Sequence, residues 1–306
     1  MKREVAVSTT PRLSNLALLA LVSAILLVLI GSIVRVTGYG LGCPDWPLCY
    51  GQVIPPLQIG AWVEFSHRFL GGLVSLLVVL VAVLAWRQQR ADKWIVRPAV
   101  AAVAVLVVQV GLGGLHVLSE LPGWTGLIHT GVAMALVGLL AVVAVTSRPP
   151  GSVDRPPLGR LPQWAMWAAG ATYLLLLTGS LVTRTGASLA CPAFPLCGLD
   201  TMPDFLRPLV TIQMAHRIIA TLVGLLVLAV VARLWPAGRQ WPNLRLAAFG
   251  LTFLLVAQFT LGISNVLLRL PMWSRSLHLV TGASLWALLV VVATAMNVRQ
   301  SARLPV

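Results

Sequence analysis

The sequence contains few charged residues, and acidic residues are the scarcest of them. Only 10% of the 306 residues are charged and eight are Asp or Glu, whereas 58% are hydrophobic. A soluble domain carries about 25% charged residues, so this composition excludes an ordinary soluble protein. Apolar runs of roughly 20 residues recur, which is the length that crosses a hydrocarbon core about 30 Å thick. The sequence therefore predicts an all-α polytopic membrane protein.

Eight apolar runs predict eight transmembrane helices. The first run follows Lys2, Arg3 and Arg12, as the apolar part of a signal peptide does. It is too long for that role and no small-residue cleavage site follows it, so we expect a retained helix. The predicted spans cover residues 13–34, 61–86, 95–118, 125–146, 164–184, 209–233, 244–268 and 274–297.

The shortage of acidic residues leaves a net charge of +14, which would suit a nucleic-acid partner. Most Lys and Arg residues, however, lie at the two termini and in the loops after the second, fourth and sixth spans, where the positive-inside rule places them. This distribution favours a lipid bilayer and argues against nucleic acid. It predicts cytoplasmic termini and outward loops at about 35–60 and 185–208. The short termini, without a transit peptide, favour a bacterial inner (plasma) membrane.

The chain contains an internal repeat. Each copy has a His-Arg pair three residues after a Glu or Gln: Glu64, His67 and Arg68 in the first copy, Gln213, His216 and Arg217 in the second. We expect two four-helix bundles, over residues 1–146 and 164–306, joined by a Pro-rich cytoplasmic linker at 147–163. An even number of spans preserves orientation, so the copies should be parallel repeats.

Four of the five histidines lie near the outer ends of even-numbered spans, in two pairs with equal separation: His67 and His129, His216 and His278. An imidazole inside a membrane bundle is typically functional. Two imidazoles from facing helices form the axial ligand set of a low-spin haem. The alternative of hydrogen-bonded core histidines is weaker for two matched pairs. A non-haem metal is also weaker, because neither half adds two acidic ligands at this depth.

Arginines lie close to these histidines in the sequence. Arg68, Arg217 and Arg275 are candidates for binding haem propionates, because a planar guanidinium binds carboxylates in a bidentate manner. Snorkelling of these side chains to the interface is an alternative, and the two uses are compatible. His116 has Asn265 as its counterpart and lacks the support of the repeat. We expect it to hydrogen-bond at the outer end of the third helix rather than to transfer protons.

Glu64 precedes His67 by three residues and therefore shares its helix face. A carboxylate beside a haem there can accept a proton or stabilise a developing cation. The alternative is an ion pair with Arg68 or Arg35. Gln213 keeps the shape of the side chain in the second copy but cannot titrate, so we expect the first half to be the reactive one.

All four cysteines lie in the outward loops, as two pairs with the same spacing: Cys43 and Cys49, Cys191 and Cys197. An oxidising compartment favours local disulfides within each pair. A zinc site built from all four thiolates is the alternative, and it is disfavoured because the pairs belong to separate repeats.

Together these motifs resemble the haem A synthase family, over about residues 13–297. The resemblance rests on the Glu-x-x-His-Arg motif with its Gln-x-x-His-Arg echo, on the cysteine loop after the first span, and on the paired histidines in a doubled four-helix layout. It implies that the chain oxidises a ring methyl of haem O to a formyl group, making haem A for terminal oxidases.

The resemblance also implies a division of labour between the halves. His67 and His129 would hold the substrate haem O beside Glu64, on the outer side of the membrane. His216 and His278 would ligate a haem b cofactor that passes electrons. The implied partners are haem O synthase, oxidase assembly factors and an electron donor.

Two other functions explain part of the sequence. A di-haem electron carrier accounts for the four histidines but not for the Glu-to-Gln difference, and a carrier across the bilayer needs haems at both depths. A transporter suits parallel repeats. However, no Pro interrupts a helix near the midplane, and no charged residue lies deep in a span.

Overall fold

The computed structural model describes residues 11–148, 159–198 and 202–301. Within these residues, regular structure consists of eight α-helices and one short 3-10 turn, Ala187–Leu189. The helices are α1 (Pro11–Val36), α2 (Ile59–Gln89), α3 (Lys93–Leu118), α4 (Gly123–Thr146), α5 (Leu161–Arg184), α6 (Pro208–Ala237), α7 (Pro242–Leu267) and α8 (Met272–Ser301).

All eight of the helices in the described residues are long and apolar enough to cross a membrane, which confirms the predicted class. Most of them extend a few residues past the predicted spans. Hydropathy marks the hydrocarbon region, whereas backbone hydrogen bonding continues into polar residues such as the end of α2 at Gln89. At the other end, Pro208 and Pro242 begin α6 and α7, where proline is tolerated because the first helical N–H has no partner in the helix.

The connection between the halves is shorter than the predicted linker at 147–163. Helix α4 ends at Thr146 and α5 begins at Leu161, so Pro162 lies in the first turn of α5. Proline at the second helical position keeps the helix intact, which is why a proline count overestimated the loop. The other linker prolines, Pro149, Pro150, Pro156 and Pro157, lie outside the described residues.

Within each half the helices pack as a ring of four. Helices α1 and α3 each contact α2 and α4, and helices α5 and α7 each contact α6 and α8. The halves meet where α8 packs against α1 and α4, and where α4 packs against α5. Helices α2, α3, α6 and α7 therefore form the outer walls, and α4 and α8 lie at the centre of the molecule.

Two aromatic residues of the second half hold α4 in place. The indole of Trp286 covers Gly138, where any Cβ would collide with the ring, and its Nε1–H donates to the Ala169 carbonyl oxygen at 3.0 Å. The phenol of Tyr173 donates to the Gly131 carbonyl oxygen at 3.1 Å and lies 5.6 Å from the Trp286 ring. The interface thus depends on large rings set against glycines of α4.

Replacing Trp286 by alanine should weaken the contact between the halves. Truncating a buried tryptophan costs about 3 kcal/mol in a packed core, so we expect a lower thermal midpoint for the detergent-solubilised chain. Trp167→Ala is the matched control, because Trp167 is 74% exposed on the surface of α5. Equal midpoints for the two variants would contradict this account of the interface.

Candidate functional site

The two histidine pairs lie in equivalent positions of the two rings. His67 is in α2 and His129 in α4, and these helices lie diagonally across the first ring. His216 in α6 and His278 in α8 repeat the arrangement in the second ring. In each half the two imidazoles are close enough for the charge of one to act on the other. The structure therefore brings together the pairs that the sequence predicted.

Each imidazole rests against a glycine of the neighbouring helix. A Cβ on Gly31 of α1 would lie 2.8 Å from Cε1 of His67. The corresponding distances are 3.4 Å from Gly113 to His129, 3.2 Å from Gly179 to His216, and 3.1 Å from Gly262 to His278. All four are shorter than or at the edge of ordinary van der Waals contact, so a side chain there would push on the ring. Sequence reasoning missed these seats, although the recurrence of glycine at 31 and 179 was a signal.

Polar atoms around the histidines lack partners. The Nδ1 atoms of His67, His129 and His278 are buried without a hydrogen bond. The Gln109 amide nitrogen lies 3.0 Å from Nε2 of His129, and the Gln258 amide nitrogen lies 3.3 Å from Nε2 of His278. The amide oxygens of both glutamines are again buried and unpaired. Buried polar atoms are normally bonded, so this concentration is typical of a place that receives a polar or metal-containing group.

The donor set fits haem better than a bare metal ion. Within the described residues there is no cluster of three or more His, Cys, Asp or Glu side chains that would hold an ion. A haem takes only two axial ligands from the protein, and each half offers one imidazole from each of two helices. The residues present therefore fit a haem in each half.

The two halves differ in how the first histidine of the pair is oriented. The hydroxyl of Thr178 donates to the Leu175 carbonyl oxygen at 2.8 Å, so its oxygen is free to accept from Nδ1–H of His216, also at 2.8 Å. That bond fixes the tautomer and leaves the Nε2 lone pair available to iron. In the first half Ile30 precedes Gly31 as Thr178 precedes Gly179, and it offers no acceptor. His67 therefore lacks the hydroxyl partner that orients His216; the acceptor nearest to it is the Leu27 backbone, to which Nδ1 makes no hydrogen bond of normal geometry.

Glu64 anchors the first cysteine loop. The residue is 3% exposed, its Oε2 accepts from the Cys43 backbone N–H at 2.8 Å, and its Oε1 accepts from Arg68. The ion pair with Arg68 is one of the two alternatives that the sequence left open. The carboxylate is thus held in a fixed position one turn from His67.

Gln213 does the same for the second loop. Its Oε1 accepts from the Cys191 backbone N–H at 2.5 Å, and its Nε2 donates to the Ser188 carbonyl oxygen at 2.7 Å. An amide therefore reproduces the loop contact of Glu64 without a negative charge. What distinguishes the halves at this position is charge, not the fold of the loop.

The expected propionate role of Arg68 needs correction. Its five N–H groups make five bonds: to Glu64 from Nε and Nη2, and to the carbonyl oxygens of Cys43, Asp45 and Leu48. No donor is left for a propionate. Neighbours in sequence do not face the same way on a helix, so adjacency to a histidine is no guide to direction.

Arg217 makes equivalent contacts in the second half. Its two terminal nitrogens donate to four carbonyl oxygens of the second loop, those of Cys191, Ala193, Pro195 and Leu196. The two arginines hold the loops over the histidine pairs, a use that sequence reasoning missed. The side chain of Arg275, in contrast, has no hydrogen bond or ion pair with the described residues, and its guanidinium donors are free.

The loops themselves are closed by disulfides. Cys43 is bonded to Cys49 and Cys191 to Cys197, as predicted, and no cysteine is free, which excludes the zinc alternative. The first loop is further ordered by Asp45, whose carboxylate accepts from Gly51 and Tyr50. These backbone bonds, that of Gly51 foremost, hold the pKa of the Asp45 carboxyl below its usual value.

His116 has the hydrogen bond that the sequence led us to expect. Its Nδ1 lies 2.6 Å from Oγ1 of Thr125, and the Thr125 hydroxyl donates to the Pro122 carbonyl oxygen at 2.8 Å. The ring also stacks on His129, with centroids 6.4 Å apart. His116 therefore ties the end of α3 to the start of α4 beside the site.

A methyl group at Gly31 should disturb the first site. Because the Cβ would lie 2.8 Å from the His67 ring, the ring must move, and we expect haem to bind the first half at least about tenfold more weakly. Optical titration of the purified full chain with haem measures this. Gly111→Ala is the control, since nothing lies within 4 Å of its Cβ. Equal affinities of the two variants for haem would contradict the role of Gly31 in positioning the His67 ring.

Comparisons with known proteins agree with this geometry. The profile of the cytochrome oxidase assembly protein family COX15-CtaA matches residues 14–290. A haem A synthase of Symbiobacterium thermophilum is 33% identical over 272 residues, which cover 84% of this chain and 87% of the relative. One of Shouchella clausii is 32% identical over 225 residues, covering 71% and 74%.

A third relative, the haem A synthase of Bacillus licheniformis, is 29% identical over 279 residues, covering 87% of this chain and 90% of the relative. The family profile extends from α1 into α8, and its range spans the positions of all four histidines. The resemblance to haem A synthases is confirmed, and the chain belongs to the COX15-CtaA family of cytochrome oxidase assembly proteins.

Proposed function

We propose that this chain is a membrane oxidoreductase that oxidises a ring methyl of haem O to a formyl group, producing haem A for terminal oxidases. The observation that carries the proposal is a pair of matched two-histidine sites that differ in the groups around them. Both halves share the histidines and their glycine seats. Only the first half has a carboxylate at the loop anchor, and only the second has a hydroxyl that orients the first histidine of its pair. One half is suited to chemistry and the other to holding a resident cofactor.

The first half is the substrate site in this proposal. His67 and His129 hold haem O, and the free Nδ1 of His67 leaves that ligand less constrained. A ligand without an orienting partner binds more weakly. Weaker ligation is what a site needs if its haem must enter as haem O and leave as haem A.

The second half is the cofactor site. His216 and His278 would ligate haem b, which when bound would supply a one-electron carrier. Thr178 holds His216 in the ligating tautomer, which strengthens the bond to iron. Oriented ligation is appropriate for a haem that stays through many turnovers.

Glu64 is the proposed catalytic residue. Converting the methyl group to a formyl group in two successive steps removes four electrons, which leave through the external electron partner, takes up one oxygen atom from water and releases four protons. The oxidation passes through electron-poor carbon. A carboxylate fixed by Arg68 and the Cys43 N–H is positioned to accept such a proton or to stabilise positive charge. Gln213 makes the same loop contact in the second half and can do neither.

The proposed setting is the inner (plasma) membrane, with cytoplasmic termini and the histidine pairs toward the outer side. The basic loops after α2, α4 and α6 support this orientation through the positive-inside rule. Haem O synthase would supply the substrate, oxidase assembly would take up the product, and an external partner would exchange electrons with haem b.

Removing the Thr178 hydroxyl should loosen the cofactor. Thr178→Val keeps the shape of the side chain but removes the acceptor for His216, so we expect haem b to be retained about tenfold less well and its reduction potential to shift. Haem content of the purified chain and a redox titration measure the two effects. Thr183→Val is the control, since the exposed Thr183 hydroxyl bonds only to its own helix. Wild-type retention and potential in Thr178→Val would refute this assignment.

Replacing Glu64 by glutamine should stop conversion while preserving the fold. The equivalent contact of Gln213 shows that an amide can hold the loop, so we expect both haem sites and the disulfide to survive. Loss of a proton-accepting group typically costs a factor of about 100 or more in rate. Haems are extracted from membranes that also contain a haem O synthase, in a host without haem A, and separated by chromatography.

Gln213→Glu is the matched control for this experiment. It places a carboxylate beside Arg217, as in the first half, and should retain conversion. A haem A peak of normal size from Glu64→Gln would refute the catalytic role of Glu64. If the folded, haem-loaded wild-type chain gave only haem B and unconverted haem O, the electron-carrier function would replace the proposed one.

A further inference from the structure

Three arginines lie at helix ends on the same side of the molecule, near where the halves join. Arg35 lies in the last turn of α1, Arg184 is the last residue of α5, and Arg275 lies in the first turn of α8. All three are partly buried, and the charges of Arg184 and Arg275 act on Arg35. Like charges at short range repel more strongly away from bulk water, so this arrangement needs a compensating anion.

The described part of the chain supplies no such anion. Its two ion pairs are Glu64 with Arg68 and Asp204 with Arg207, and neither involves the three arginines. Their side chains also make no hydrogen bond to any described residue. Arg68, by comparison, has its donors on Glu64 and on loop carbonyl oxygens, and the terminal nitrogens of Arg217 donate to loop carbonyl oxygens. The free guanidinium groups beside the two sites are therefore those of Arg35, Arg184 and Arg275.

Arg184 reaches from the second half into the first. Its guanidinium lies directly over Gly126 of α4, so that a Cβ on Gly126 would overlap it, and its carbonyl oxygen lies over Gly123. Gly126 precedes His129 by three residues, as Arg275 precedes His278. In the first half, the position that Arg275 occupies in the second half is filled by a glycine. The guanidinium of Arg184 takes up the space that this glycine leaves.

The electrostatic neighbours of Arg184 agree with this placement. Its charge acts on His116 and on His129, both of the first half. Each histidine pair thus has one guanidinium one turn from its α4 or α8 histidine. In the second half that group belongs to the same helix, and in the first half it is contributed by the other half.

We propose that Arg35, Arg184 and Arg275 form a carboxylate-binding cluster between the halves, in which Arg184 binds a propionate of the haem held by His67 and His129. Arg275, with Arg35 beside it, binds a propionate of the haem held by His216 and His278. The inference rests on the proposed function, because it places a haem in each half. It assigns recognition of the carboxylates to a different set of arginines from those adjacent to His67 and His216.

The cluster has a consequence for substrate recognition. The first site requires a porphyrin that carries free carboxylates, because one wall of that site is a guanidinium without a protein partner. An esterified porphyrin would leave this charge uncompensated. The first site is also incomplete without α5, so the substrate half depends on the cofactor half for binding as well as for electrons.

The test compares haem O with its dimethyl ester in optical titrations of the purified full chain that already carries haem b. The wild-type chain should bind haem O about tenfold or more tightly than the ester, since a charge-assisted bond to carboxylate is lost. Arg184→Gln should weaken the binding of haem O by a similar factor and leave the affinity for the ester unchanged. Arg207→Gln, which removes an exposed outer arginine that is paired with Asp204, should behave as wild type.

A second variant separates carboxylate binding from a structural role of Arg184. Arg184→Ala combined with Gly126→Arg returns a guanidinium to the same place from α4, in the manner of Arg275. We expect the preference for haem O over the ester to return in this double variant. A role of Arg184 in packing alone would leave the double variant as weak as Arg184→Ala.

The outcomes distinguish the cluster from the proposed function. Equal affinity of the wild-type chain for haem O and its ester, with normal production of haem A, would overturn the cluster and leave the function standing. If Arg184→Gln lost affinity for haem O and for the dimethyl ester by the same factor, the carboxylate-binding role of the cluster would also be refuted. Failure of the wild-type chain to bind haem O at all would overturn both.

Discussion

Contact between an imidazole and a glycine of the neighbouring helix is the constraint on which both sites depend. Gly31 and Gly179 lie against the histidines of α2 and α6, and Gly113 and Gly262 lie against those of α4 and α8. A helix can approach a ring this closely only where no Cβ intervenes. The seats limit the direction of each ring and so place two imidazoles across the centre of each bundle, which is what ligation of one iron from two helices requires.

The cysteine loops next to the histidines follow the same repeat. In each half a buried side chain on the histidine's own helix face binds a cysteine N–H, and an arginine binds the loop carbonyls. The two copies of the repeat thus share a frame of helix and loop contacts and differ at a few positions. The frame is the same with Glu64 or Gln213, with Thr178 or Ile30, and with Arg275 or Gly126. Each of these differences changes charge or hydrogen bonding next to a histidine pair, and on them the proposed function bases the different roles of the two halves.

Much of this was accessible from the sequence, for physical reasons. Span lengths, the repeat, the histidine pairs and the disulfides follow from hydropathy and spacing, which are local properties. The direction in which a side chain points depends on tertiary packing, and the sequence-based prediction for Arg68 was wrong for this reason. Arg68 is next to His67 in the chain but points into the loop, whereas Arg184 is far from His129 in the chain and comes to lie beside it through packing of α5 on α4. The glycine contacts were missed because the recurrence of Gly31 and Gly179 marks a repeated position but does not say which side chain packs against it.

The central claim is that two similar sites hold haem with different permanence. Electron paramagnetic resonance of the purified full chain, before and after addition of haem O, tests it most directly. The account predicts one bis-imidazole low-spin signal at first and a second after addition. His67→Ala should abolish only the second signal, and His216→Ala only the first. A single signal that survives removal of either histidine would contradict the account.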